Sequence, residues 1–169
     1  MSHPQFPDAP WVRHDLQLSS ELLAAVESHA LATYPSECCG FLRGPAADVG
    51  RVDERIPLEN QADRYHTMDP ETFPRTSRTY FKINEMKAAR LVDESSAAGT
   101  PIKVLYHSHC DAGAYFSAED ASTFSQNQTL MWPFAFLVVS VEDGQVTDRK
   151  LWCHVPGTDD FEEKSIGTL

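Results

Sequence analysis

Residues 101–120 read PIKVLYHSHCDAGAYFSAED. The first nine suit a β-strand, because β-branched and aromatic side chains favour extended backbone. Side chains two apart on a strand share a face. His107 and His109 therefore point one way, and Ile102, Val104 and Tyr106 the other. A loop follows, and then Ser117-x-x-Asp120, a pattern that starts helices: the serine caps and the acid suits the first turn. Strand, loop and helix start lie within one short run, with two imidazoles on one face of the strand end.

Each piece has an ordinary explanation. A lone His-x-His more often packs or faces solvent, and a lone Ser-x-x-Asp more often only caps. The joint spacing favours a metal site. A tetrahedral catalytic zinc takes three protein ligands and keeps one position open. The strand offers two, and Asp120 is the natural third.

The neighbouring sequence supplies a scaffold. FAFLVVSV (134–141) is a continuous apolar run and reads as a central strand, turned by EDGQ into an antiparallel partner at 146–155. CCGFLRG (38–44) and 49–60 read as two more strands joined across GPAAD. Residues 19–35 form a helix capped by Ser19 or Ser20 and stopped by Pro35. TYFKI (79–83) reads as a strand, after which Asn84 caps a helix ending at Gly99. Residues 117–128 begin a third helix. Residues 61–78 have no period and read as a loop, with Tyr65, His66, Met68 and Phe73 as candidate substrate contacts. The expectation is a single α/β domain at 19–156, with a mixed, mostly antiparallel sheet of about six strands and about three flanking helices. Residues 1–18 are a polar lead-in, and 157–169 an acidic, peripheral tail. SHPQF at 2–6 resembles part of a streptavidin-binding tag, so nothing about the fold is read from it.

Bulk properties exclude several classes. The 169-residue chain carries a formal net charge of −11, which repels phosphate backbones and argues against nucleic acid. No apolar run reaches membrane-span length, so no membrane association is expected. The N-terminus lacks an apolar signal region, which favours the cytoplasm. Cys38, Cys39, Cys110 and Cys153 contain no C-x-x-C pair, so they read as reduced thiols and not as a zinc ribbon.

His107-Ser108-His109, seven residues, Ser117, two residues, Asp120 resembles the signature of the JAMM (MPN+) zinc metalloproteases. PSECCGFLRG (35–44) resembles the upstream stretch that carries their glutamate, here Glu37. The resemblance spans about 19–155 and points to the short, stand-alone bacterial members. It implies a cytidine-deaminase-like MPN fold and one Zn2+ per chain, held by His107, His109 and Asp120. It also implies Glu37 as general acid/base and Ser117 as oxyanion support. The implied substrate is an amide bond after the C-terminal Gly-Gly of a ubiquitin-like or sulfur-carrier protein, and a homodimer is left open. Cys110 departs from the pattern, since many relatives have proline there. It reads as a small loop residue, with an inhibitory fourth zinc ligand as the alternative. Ser117 faces a competition between capping and oxyanion support. Other readings stay open: a non-catalytic MPN interaction module, a zinc hydrolase of this fold acting on another amide, and, more weakly, a cysteine hydrolase using Cys39 or Cys110.

Overall fold

The computed structural model describes residues 3–169. Residues 1 and 2, where the lead-in and SHPQF begin, lie outside the described residues. The main sheet contains β1 (Cys39–Arg43), β2 (Glu54–Leu58), β3 (Ile102–Cys110), β4 (Ala135–Glu142), β5 (Gln145–His154) and β6 (Phe161–Lys164). Their spatial order is β6-β5-β4-β3-β1-β2. Only β3 and β4 run parallel; every other neighbouring pair is antiparallel. The expected fold class and strand number are therefore observed.

A parallel pair needs a crossover. The chain leaves the C-terminal end of β3, passes through a loop and helix, and only then enters β4. That crossover brings a helix N-terminus back to the end of the histidine strand. β3 and β4 are buried along nearly their whole length, as centre strands covered on both faces must be. Asp143 (φ 50°) and Gly144 (φ 74°) both adopt positive φ in the β4–β5 turn, the backbone of a tight two-residue hairpin.

The helices are α1 (Ser20–Thr33), α2 (Ala62–Met68), α3 (Glu85–Ala97) and α4 (Ala118–Phe124). Ser19 Oγ accepts the Leu22 N–H at 3.1 Å, and α1 buries Leu22, Leu23, Val26 and Ala30. Asn84 Oδ1 accepts the Lys87 N–H at 3.0 Å and starts α3. Among the described residues no helix is long and apolar enough to cross a membrane.

Several local expectations change. Residues 79–83 form no strand. Asn60 takes the place of a strand partner, accepting the Lys82 N–H at 3.0 Å and donating to the Tyr80 carbonyl at 2.9 Å. The sixth strand is instead β6, paired with β5, so the C-terminal stretch is built into the sheet rather than peripheral. The segment 61–78 contains α2, which Asn60 starts by accepting the Ala62 N–H at 3.0 Å, making four α-helices among the described residues where about three were expected. The third expected helix ends at Phe124, because Ser125–Gln126 turns back to pair with Thr129–Leu130. The lead-in also joins the fold. Gln17–Leu18 lies parallel to Arg51–Val52 and Gly167–Thr168, and Trp11, Val12, Leu16 and Leu18 are buried.

Candidate metal centre

β3 aims the two imidazoles as period-two geometry requires, and α4 delivers Asp120 to them. His107 Nε2 and His109 Nε2 lie 3.2 Å apart, and Asp120 Oδ2 lies 3.2 Å and 3.4 Å from them respectively. These three atoms form the one group of three or more metal-capable side chains among the described residues. All three residues are buried.

The donor inventory explains why a cation fits. His109 Nδ1 lies 2.8 Å from the Gly113 carbonyl. A carbonyl only accepts, so Nδ1 carries the proton and Nε2 of the neutral ring presents its lone pair. That lone pair faces an Asp120 oxygen, which is itself an acceptor when ionised. Two acceptors turned on each other are unfavourable unless a cation lies between them. His107 Nδ1 is buried with no hydrogen-bond partner, and its ring stacks on Phe81 with centroids 4.4 Å apart. Burial works to raise the Asp120 carboxyl. Positive charge on the His107 side of the carboxyl outweighs burial and holds it well below the usual carboxylate range, so the pocket favours a cation beside an ionised Asp120.

Ser117 and Asp120 form a reciprocal capping box. Ser117 Oγ accepts the Asp120 N–H at 3.0 Å, and Asp120 Oδ2 accepts the Ser117 N–H at 3.1 Å. The direction of these bonds relieves the expected competition at Ser117. Capping occupies a hydroxyl lone pair, and the O–H proton stays free to donate elsewhere. The same box fixes the Asp120 carboxylate in the direction of the histidines.

Glu37 comes to the site through the sheet. Cys39 pairs with His107, and Ser108 locks the adjoining backbone: its Oγ accepts the Cys38 N–H at 2.8 Å and its N–H donates to the Cys38 carbonyl at 3.1 Å. Glu37 is 5% exposed and lines one cleft with His109, Ser117 and Asp120. Burial, reinforced by the negative Asp120, pushes the Glu37 carboxyl up to about 9 against the opposing pull of Arg75. A cation beside the site adds to that pull.

Cys110 ends β3 half-buried, and burial pushes its thiol up to about 12, which disfavours the thiolate that metals and electrophiles require. The contacts suggested in 61–78 largely face each other. The Tyr65 and Phe73 rings pack at 5.0 Å and His66 Nδ1 donates to the Phe73 carbonyl, whereas Met68 is exposed. The residues of that region that line the cleft are Arg75 and Arg78. Phe81, the Gly113 carbonyl and Arg78 escaped sequence reading. A backbone carbonyl has no residue signature, and Phe81 lay inside an expected strand.

Comparison with known proteins bears on the family and the fold. Residues 19–154 match the family model described as prokaryotic homologs of the JAB domain. The CysO-cysteine peptidase of Mycobacterium tuberculosis is 30% identical over 108 residues, 62% of this chain and 62% of that protein, so the match spans under two thirds of the curated relative. A solution structure of a Desulfitobacterium hafniense protein superposes with TM-score 0.66 at 22% identity, covering 91% of this chain and 92% of that one. A JAB1/MPN domain protein from Archaeoglobus fulgidus superposes with TM-score 0.56 at 17% identity, covering 92% and 98%. Those two likenesses speak for the fold.

Proposed function

This chain belongs to the prokaryotic homologues of the JAB domain, and from that membership we propose that it is a zinc-dependent peptidase acting on the amide bond after the C-terminal Gly-Gly of a sulfur-carrier or other ubiquitin-like protein. The observation that carries the reading is the convergence of His107 Nε2, His109 Nε2 and Asp120 Oδ2 beside a cleft that His109, Asp120, Glu37 and Ser117 line. The name of the mycobacterial relative supports the sulfur-carrier class.

His107, His109 and Asp120 would hold the zinc ion. Zinc, when bound, acidifies a water and polarises the scissile carbonyl. Glu37, which is not among the ligands, takes the water proton and returns it to the leaving amine. Its burial suits a group that must hold a proton in one half of the cycle and release it in the other. Ser117 donates its free O–H to the oxygen that gains charge on the tetrahedral centre. The Gly113 carbonyl keeps His109 in the tautomer that presents Nε2.

The test uses the zinc-loaded chain and a sulfur-carrier protein whose Gly-Gly tail is extended by one amino acid or by a longer peptide, with products read by mass spectrometry. The expected result is cleavage after Gly-Gly, stopped by a chelator, restored by zinc and indifferent to thiol alkylation. No cleavage of either extension, or cleavage that persists in the chelator, contradicts the reading.

A further inference from the structure

We propose that Arg78 is a carboxylate-binding subsite beside the scissile bond, which takes the α-carboxylate of a single leaving amino acid and makes this chain a remover of one terminal residue. The proposal rests on the peptidase reading above and narrows its substrate class.

Arg75, Arg78, Thr79 and Tyr80 line the same cleft as Glu37, His109 and Asp120. That wall is fixed relative to Glu37. The Ser77 carbonyl accepts the Glu37 N–H at 2.6 Å. The Ser77 side chain is itself held, with Oγ 2.8 Å from Asp63 Oδ2 and 2.9 Å from Ser36 Oγ. Arg78 is thus one residue from the backbone bond that anchors the candidate proton carrier.

The two arginines are differently engaged. Arg75 pairs with Glu119 and hydrogen-bonds Thr79 through both its Nε and its terminal nitrogen. Its charge is matched, and so is that of Glu119. The hydrogen bond made by Arg78 is a backbone one, from its N–H to Thr76 Oγ1, and its guanidinium has no ion-pair partner among the described residues. Arg55, Arg64 and Arg90 also lack ion pairs among the described residues, but of these arginines only Arg78 lines the cleft.

Substrate chemistry supplies the missing partner. The leaving nitrogen must reach Glu37 to receive its proton. In a single amino acid, the carbon bonded to that nitrogen also bears a carboxylate, close enough for an arginine on the adjoining wall. In a longer peptide the same place holds a neutral amide. An arginine fork matches a carboxylate through two parallel charge-assisted hydrogen bonds and gains much less from an amide. Hydrolysis breaks the C–N bond. The water oxygen ends on the glycine carbonyl carbon as a carboxylate, and both water protons end on the amine, which leaves as the ammonium of a free amino acid.

The experiment compares a sulfur-carrier protein ending in Gly-Gly-Ala as the free acid with the same protein ending in the carboxamide. It measures kcat/KM on the zinc-loaded parent and dissociation constants on the Glu37→Gln chain. The free acid is expected to be favoured by about tenfold to a hundredfold in both measurements. Arg78→Ala is expected to bring the ratio close to one, and Arg78→Lys to restore part of it. Equal handling of acid and carboxamide by an active parent, or a preference that survives Arg78→Ala, overturns the subsite and leaves the peptidase reading standing. Cleavage of neither form overturns both.

Discussion

Two buried pairs of touching imidazoles occur among the described residues, and they are built for opposite purposes. His3 Nε2 lies 2.7 Å from His154 Nδ1. His154 Nε2 faces the Thr158 carbonyl at 2.7 Å and so must carry a proton. His154 Nδ1 then accepts from His3 Nε2, and His3 Nδ1 accepts the Gln5 N–H at 3.3 Å. Every ring nitrogen in this neutral chain has its complement, and it pins the lead-in to β5. The pair His107 and His109 has no such solution. Its Nε2 atoms meet a carboxylate instead of a donor, and His107 Nδ1 has no partner. A histidine pair alone therefore says little; the acceptor set around it separates a hydrogen-bonded staple from a place for a cation.

The first way to break this contrast is at the proton carrier, which belongs to one pair only. Glu37→Gln is expected to lower cleavage by about 10²- to 10⁴-fold while zinc content by elemental analysis stays at the parent's level. Loss of zinc together with activity would make Glu37 a ligand and redraw the site. Ser117→Ala removes both the cap and the oxyanion donor. It is expected to lower kcat by about 10²- to 10³-fold and to lower stability by about 1 kcal/mol in denaturant melts; a stability effect without a rate effect would reduce Ser117 to a cap.

The staple should respond in the opposite way. His154→Ala strands the groups around His3 and Ser125 and is expected to cost about 1–3 kcal/mol of stability with zinc content unchanged. Acid tests the same pair. Burial, the neighbouring His154 and Arg13 lower the His3 pKa from 6.5 to about 4. The unfolded chain binds more protons in that interval, so stability contributed by the neutral pair is present above about 6.5 and is lost as pH falls towards 4. A melt series in the zinc-free chain should show this slope, and His3→Ala should flatten it. The smallest effect is expected at Cys110→Ser, within about twofold in zinc content and cleavage, because a thiol with a raised pKa is a poor ligand.

Legibility in the sequence followed the same division between repeating pattern and local partner. The apolar run of β4 marked the sheet centre, because a buried centre strand is largely apolar on both faces, and the alternation along β3 showed which face carries the histidines. TYFKI has the composition of a strand but gains its hydrogen bonds from the side chain of Asn60, and no periodicity announces a side chain standing in for a strand. FEEK at 161–164 is an edge strand with mostly exposed side chains, so it reads as a charged tail although it completes the sheet. In the site, His107, His109 and Asp120 were legible as one spaced motif. Glu37 depended on family resemblance, since the cross-strand register beside His107 is a tertiary fact. Arg78 was invisible, because what distinguishes it from other unpaired arginines is its place on the cleft wall, a tertiary fact.

The most direct test of the central claim is zinc titration of the chelator-stripped chain by calorimetry, run on the parent, His109→Ala and His154→Ala. One equivalent is expected to bind to the parent and to His154→Ala, and none to bind tightly to His109→Ala. Equal zinc uptake by parent and His109→Ala, or uptake lost only in His154→Ala, would contradict that claim.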